Sequence, residues 1–400
     1  GVLALYPALL GAMQSHIRTR IPRFLVFLPA AWVLLEWVRG WMLSGFPWLH
    51  LGYAQIDSPL AGFAPALGVY GVSWAVLLTA GCAALLLAYG RRAWPFAVLA
   101  IALWLGGAAL GRIAWTVPAG APVRAALIQA NVPLAIKWRP EYRQEILQRY
   151  ADLSMAQRDV DIIVWPETAV PAYLHELETT YIAQLKHRAL AQGTTLVFGV
   201  IERLPGPRGQ IFNSVVTLAP EGGAYRKSHL VPFGEFLPLS GMLRWLLDYL
   251  HIPMSDFSAW RGPQAPLPAA GQWLGVSICY EDAFGEEVIA ALPRATLLVN
   301  VSEDAWFGDS AAPHQHLQMA RMRARETERA MLRATNTGVS AIIDADGHIL
   351  AGAPQFQTDV VRASVIPRNG ATPFVRWGNL PVIWATLVLA ALAAWRAKRR

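Results

Sequence analysis

The sequence predicts a multi-pass α-helical membrane region joined to one α/β layered domain. Three observations lead there. The hydrophobic fraction is 54%, only 15% of residues are charged and there are 17 tryptophans, which is the composition of a chain with bilayer-spanning segments. Long apolar runs gather at the two ends of the chain. Between them, about 250 residues from Pro118 to Arg368 alternate short apolar runs with amphipathic ones, the pattern of strands and helices stacked in layers.

The apolar runs lie at Val2 to Met13, Phe24 to Val38, Leu60 to Tyr89, Pro95 to Leu110 and Leu380 to Trp395, each long enough or nearly so to cross with modest tilt. The Leu60 run is overlong and carries Gly and Pro in its first half, so its span is expected over Val72 to Tyr89. Residues 1–115 thus hold about four spans, 118–368 the domain, and 378–400 a last span with a basic tail. Cys82 falls inside a span and reads as a small apolar residue.

Basic residues are unevenly shared among the connections. Arg18, Arg20 and Arg23, then Arg91 and Arg92, then Arg396, Lys398, Arg399 and Arg400 mark three segments as cytoplasmic by the positive-inside rule. The connection from Gly40 to Pro59 and the large domain then fall outside the cytoplasm, and every span alternates consistently. Cytoplasmic anchors account for much of the net charge of +7, so no nucleic-acid partner is called for. The chain opens at Gly1 inside an apolar run, with no methionine and no signal-peptide n-region. A fragment lacking an odd number of earlier spans is expected if the full protein starts in the cytoplasm.

In the domain, strands are expected at Val123 to Gln129, Asp161 to Trp165, Thr195 to Ile201, Phe212 to Leu218, before Cys279, and at Thr296 to Val301, Val339 to Asp344 and Val360 to Ile366. Helices are expected at Pro140 to Gln157, His175 to Gln192, Glu286 to Leu292 and Pro313 to Thr335. DIIVW over Asp161 to Trp165 is apolar at its centre, as in a strand covered on both faces.

Chemistry-bearing residues sit at strand ends. Cys279 is the domain's single cysteine, which excludes internal disulfides and leaves an unpaired thiol outside the cytoplasm. It stands where a strand ends, with Tyr280 and Glu281 beside it. The local sequence fits a nucleophile at a turn and a small buried apolar residue equally well. Glu167 in VWPETAVP is held between Pro166 and Pro171; a helix-start charge or a loop carboxylate is the plain alternative. Lys227 is one of four lysines against 30 arginines. Its compact ammonium suits a single developing anion, while the plain alternative is a loop cation. Glu235 follows eight residues later in a Pro-Phe-Gly-Glu segment. A thiol needs a base for its proton and a cation or donor for the oxyanion; Glu167, Lys227 and Cys279 supply all three. Of His175, His187, His229, His251, His314, His316 and His348, only His314 and His316 are closely spaced, two apart. That interval does not put two ligands on one helical face, so zinc is rejected, and no metal or cofactor is expected.

WPET around Glu167, RKSHLVPFGEFLP around Lys227 and SICYEDAF around Cys279 resemble the Glu-Lys-Cys set of the nitrilase superfamily. Together with EWVRGWMLSGFPWLHLGYAQIDSPLAG and DAWFGDSAAPHQHLQMARMRARETER, they resemble the apolipoprotein N-acyltransferase family over nearly the whole chain. The resemblance implies an α/β nitrilase-like αββα sandwich on the periplasmic side of a bacterial inner membrane. It implies an acyltransferase that moves an acyl chain from a phospholipid, typically phosphatidylethanolamine, to the α-amino group of the diacylglyceryl N-terminal cysteine of apolipoproteins. By position Glu167 is implied as general base, Lys227 as oxyanion stabiliser and Cys279 as nucleophile, with Glu235, Tyr280 and Glu281 in support. Trp138 in QANVPLAIKW, Asn213 in FNSVVTL and Trp306 in the aromatic loop match positions for substrate handling or site support. NVSEDAWFG departs from the family, which more often has asparagine at the place of Glu303.

Expected partners are thus the phospholipid donor, the apolipoprotein acceptor and the bilayer, with the chain acting as a monomer through a cysteine thioester. Such an intermediate needs shelter from water, for which Phe46, Trp48, Trp138, Trp306 and Phe307 are candidates; Phe46 and Trp48 equally fit an aromatic belt. The alternatives are a membrane-tethered amidase of nitrilase type and an inactive membrane scaffold.

Overall fold

The computed structural model describes residues 2–205, 209–232, 234–236 and 257–399. Gly1, Phe233, His251 and Arg400, all named above, lie outside the described residues, as does the end of the RKSHLVPFGEFLP segment. The chain divides into two compact units.

The first unit comprises Gly1–Thr116, Arg325–Glu328 and Ala371–Arg400. Among the described residues, three helical segments are long and apolar enough to cross a bilayer: Arg20–Arg39, Pro59–Leu110 and Leu380–Ala397. The first apolar run forms the helix Leu5–Gln14, whose 10 residues rise only about 15 Å. Pro59–Leu110 contains two of the expected spans, the helices Ala64–Tyr89 and Trp94–Leu110, joined by a tight turn at Gly90–Ala93 that carries Arg91 and Arg92. The helix Ala64–Tyr89 begins earlier than the expected Val72 because it tolerates a break at Gly68, where φ is +66°. A Cβ there would stand 2.7 Å from the Phe374 ring. Val69, released from the helix ladder by the break, donates its N–H to the Glu326 carboxylate at 2.7 Å. Leu105, Leu380, Trp384, Val388 and Leu392 are exposed, as lipid-facing positions require. Glu36 is buried in this apolar setting, where a carboxylate calls for donors, and its Oε1 accepts from Trp32 Nε1 at 3.0 Å and Leu51 N at 2.8 Å.

The second unit comprises Val117–Ala324 and Arg329–Gly370. Its strands in chain order are β1 (Thr116–Pro118), β2 (Val123–Gln129), β3 (Ile162–Val164), β4 (Val170–Tyr173), β5 (Thr195–Arg203), β6 (Ile211–Thr217), β7 (Ala224–Arg226), β8 (Leu267–Ala269), β9 (Gln272–Ile278), β10 (Leu297–Ser302), β11 (Met331–Thr335), β12 (Ala341–Ile343), β13 (Ile349–Gly352), β14 (Asp359–Val365) and β15 (Arg368–Gly370). One sheet has the order β14-β2-β3-β5-β6-β7 with β4 beside β5; the other has the order β13-β12-β11-β10-β9-β8. Within them β2, β3 and β5 run parallel, as do β9, β10 and β11.

Strand alternation builds the layers. Along DIIVW, Ile162 and Val164 join the core between the sheets with Leu274, Val299 and Leu332, while Ile163 and Trp165 face outward onto Tyr150 and Leu185 of the helices Arg143–Met155 and Ala183–Ala191. On the other sheet, Leu298 and Met331 point away from that core onto Leu317 and Ala320 of the helix Ala312–Thr327. The result is the αββα sandwich that the resemblance implies.

Three expectations need correction. The helix expected to reach Thr335 stops at Thr327, where Glu328 takes φ +46°, and Met331–Thr335 is instead the fully buried strand β11, paired with β10 and β12. MLRAT has good helix formers, so propensity pointed the wrong way and pairing between two strands overrode it. The expected helix Glu286 to Leu292 is a single turn at Gly285–Val288 flanked by 3-10 turns. The helix expected over His175 to Gln192 is interrupted by a π turn at Glu178–Ile182.

Candidate active site

Of the three residues expected to react, Glu167 and Cys279 follow the parallel strands β3 and β9, and Lys227 follows the antiparallel edge strand β7. Glu167 stands in the turn after β3. Its tight approach to β5 requires Gly199, since a Cβ there would lie 2.5 Å from the Pro166 carbonyl and from the Thr168 N–H nitrogen. Glu167 is buried, and its carboxylate is gripped from several sides. Oε1 accepts from Asn213 Nδ2 at 2.6 Å and faces Lys227 Nζ at 3.5 Å; Oε2 accepts from the Glu303 N–H at 2.8 Å.

Lys227 follows β7 and is wholly buried. Its N–H donates to the Asn213 carbonyl, and its ammonium lies 2.7 Å from Glu235 Oε1. Burial pulls the ammonium toward neutrality, but Glu235, Glu167 and the Cys279 side chain outweigh it and raise its pKa. Glu235 is itself fixed by the Val231 N–H at 2.8 Å. An ammonium so placed stays protonated and is available to a developing anion.

Cys279 terminates β9, partly exposed, with φ +52°. That conformation is rare outside glycine and is sustained by the surroundings. Its carbonyl accepts from Asn300 Nδ2 at 3.2 Å and lies 3.3 Å from His316 Nε2. Burial and the Glu167 charge push the thiol well above its ordinary pKa, while Lys227 works in the opposite direction. The thiol therefore rests protonated and needs a base to act.

Glu281, two residues on, is buried and accepts four hydrogen bonds: from Ile278 N at 2.7 Å, Tyr225 Oη at 3.0 Å, Ser228 N at 2.6 Å and His229 N at 3.1 Å. It thereby ties the end of β9 to the segment after Lys227. Burial raises it to about 7, against Lys227 and the backbone donors. Tyr280 packs edge-on against Phe284, which stacks on His229 with centroids 3.7 Å apart.

Behind Cys279 lies a buried charged cluster that the sequence did not announce. His316 faces Asp282 at 2.8 Å and Asp304 at 3.1 Å, and Arg333 reaches the same two carboxylates at 3.2 and 3.0 Å and Asn300 Oδ1 at 2.6 Å. In the sequence His316 stands out only by its spacing from His314, and Arg333 lies in a segment with helical composition. Lys137 does carry a sequence signal, the same scarcity of lysine that singles out Lys227. It is buried, 2.5 Å from Glu303 Oε2 and 3.2 Å from the Glu167 carbonyl.

Other expected residues fall further out. Asn213 is the exception, bonded through its side chain to Glu167 and through its carbonyl to the Lys227 N–H. Trp306 and Trp138 are 73% and 47% exposed, and Phe307 is also exposed. Phe46 and Trp48 belong to the first unit. Among the described residues, Asp344, Asp346 and His348 form one group whose ligand atoms lie within 4.8 Å of each other, in the turn between β12 and β13. Asp344 Oδ1 already accepts from the Asp346 and His348 N–H groups.

The carbon-nitrogen hydrolase family matches residues 124–372, and the apolipoprotein N-acyltransferase N-terminal domain family matches residues 1–82. An apolipoprotein N-acyltransferase of Methylococcus capsulatus is 45% identical over 99% of this chain and 79% of its own length; one of Nitrosomonas europaea is 44% identical over 100% and 81%. A solved structure of Saccharomyces cerevisiae Nit3, a member of branch 10 of the nitrilase superfamily, aligns with a TM-score of 0.46 at 20% identity, over 62% of this chain and 90% of that one.

Proposed function

The chain belongs to the apolipoprotein N-acyltransferase family of carbon-nitrogen hydrolases, and from that membership we propose the reaction and the role of each residue. It is a membrane acyltransferase acting on lipid and lipoprotein. The acyl chain comes from a phospholipid and goes to the α-amino group of the diacylglyceryl N-terminal cysteine of an apolipoprotein. The second unit works on the periplasmic side of a bacterial inner membrane, as the three basic segments suggest, and the chain acts as a monomer.

The observation that carries the assignment is the convergence of a buried carboxylate, a buried ammonium and a thiol that feels both charges. Glu167 removes the Cys279 proton, and the thiolate attacks the ester carbonyl of the donor. Lys227 holds the oxyanion, with a backbone N–H near Tyr280 assisting. Collapse breaks the ester C–O bond. The departing alkoxide takes the proton back from Glu167, the lyso-phospholipid leaves, and the acyl group remains as a thioester. The acceptor amine then gives a proton to Glu167 and attacks the same carbonyl; the C–S bond breaks, the thiolate recovers the proton, and an amide is released.

Mass spectrometry after exposure to phospholipid tests this directly. The Cys279 peptide should gain one acyl mass, and Cys279→Ala should gain none. An acyl mass on the Ala variant would remove Cys279 as nucleophile. Release of ammonia from small amides faster than acylation of a lipopeptide would mark an amidase instead.

A further inference from the structure

One buried ion pair in the second unit has no part in the steps above. Lys137 and Glu303 are 2% and 5% exposed, with Nζ and Oε2 2.5 Å apart. Replacing such a pair with apolar residues is often neutral or stabilising, so stability alone is a poor reason for it. Its contacts supply a better one. Lys137 Nζ also donates to the main-chain carbonyl of Glu167 at 3.2 Å, and the main-chain N–H of Glu303 donates to Glu167 Oε2 at 2.8 Å. Asn336 Nδ2 closes the cage by donating to Glu303 Oε2 at 3.0 Å while its Oδ1 accepts from Val132 N at 2.9 Å. Glu303 thus meets the Lys137 ammonium with its side chain and Glu167 with its backbone.

We infer that the Lys137–Glu303 pair is the positioning device for Glu167, holding that carboxylate on the path of the Cys279 proton; this rests on Glu167 being the base. The neighbouring residue serves the other reactant. Asp304 meets His316 and Arg333, and His316 touches the Cys279 carbonyl. Two adjacent residues at the end of β10 therefore reach, one toward the base and one toward the nucleophile, and so set their separation. Because the pair is neutral, it fixes Glu167 without adding net charge beside the thiol. The charged groups around the reacting pair are Lys227, Glu235, Asp304 and Glu281, with Arg333, His316 and Asp282 behind the thiol; Glu281 is common to every variant compared below.

The test is the pH dependence of Cys279 alkylation by iodoacetamide in the full chain in detergent, read on the Cys279 peptide by mass spectrometry so that Cys82 does not contribute. Lys137→Met leaves the Glu303 anion uncompensated and should move the alkylation midpoint up by about one pH unit; Glu303→Gln leaves the ammonium and should move it down by a similar amount. The double variant should return to the wild-type midpoint. Shifts in one direction, or none, would reduce the pair to a structural role. Glu303→Asp keeps the charge and the fold but shortens the reach. It should leave the midpoint unchanged and lower acyl-enzyme formation by roughly tenfold or more at saturating phospholipid; wild-type acylation in this variant would overturn the inference. If wild-type protein forms no acyl-enzyme, the acyl-transfer reading fails, while the alkylation profiles still decide the role of the pair.

Discussion

Cys279 carries a thiol that its surroundings make hard to ionise, so the proposed reaction requires a base, for which Glu167 is the candidate. Burial raises it and the nearby Glu167 raises it further, unlike cysteines activated at helix N-termini. Lys227 resolves the apparent conflict by dividing its attention: its ammonium sits at 2.7 Å from Glu235 but 3.5 Å from Glu167. Glu235 takes the close ion pair, which leaves Glu167 the longer contact that its proposed role as base calls for. Lys227→Ala should therefore lower the rate of acyl-enzyme formation by roughly 10²-fold, the loss expected for one oxyanion contact. Single-turnover acylation with labelled phospholipid measures this, and a near wild-type rate would exclude the role.

At the scale of elements, Glu281 joins strands as well as residues. Its four donors come from β7, from the segment after Lys227 and from the last residue of β9. Glu281→Ala strands them in a buried site, each orphaned donor costing about 1–3 kcal/mol. Thermal unfolding should show a loss of at least about 3 kcal/mol, together with reduced acylation. In the first unit, the break at Gly68 is the comparable feature. Gly68→Val forces a β-branched residue to φ +66° and into the Phe374 ring, which should destabilise the protein by at least about 1–2 kcal/mol, seen as a lower melting temperature in detergent. An unchanged melting temperature would mean that the helix re-forms without the break.

At the scale of the whole molecule, stability should depend on pH through the buried cluster behind Cys279. Burial and Arg333 lower His316, yet Asp282 and Asp304 prevail and lift it from 6.5 to about 9. A group raised on folding contributes stability that is complete below its unfolded value and is lost as pH climbs through the folded one. The His316 contribution is thus full below 6.5 and gone above about 9. Glu281, raised from 4.5 to about 7, acts in the same direction over a lower window. Asp304 and Asp161 are held below the ordinary carboxylate range, Asp304 by Arg333 and His316 against burial, Asp161 by Arg124. Their contributions fail only on strong acidification. The melting temperature should be highest near mildly acidic pH and fall by several degrees toward pH 9, and His316→Gln should flatten the upper part of that curve. A wild-type curve flat from pH 6.5 to 9 would rule out a charged His316.

Much of this was legible in the order of residues. The continuous apolar centre of DIIVW marked a strand covered on both faces, the long apolar runs marked helices for a bilayer, and a lone cysteine, a rare lysine and a proline-bracketed glutamate marked the proposed reactive set, because apolar runs and residue scarcity are local properties. Two features were not legible. MLRAT has the composition of a helix and became β11 because β10 and β12 offered it partners on both sides. Lys137, Glu303, His316 and Arg333 are separated by up to about 200 positions, and nothing in their surroundings along the chain says which charge meets which. The sequence by itself determined the class of fold and the family, and with them the three residues proposed to react. Only the tertiary structure decided which buried charges neutralise one another around those residues, since a buried charge is tolerable only beside a partner and the partner is chosen by packing across strands.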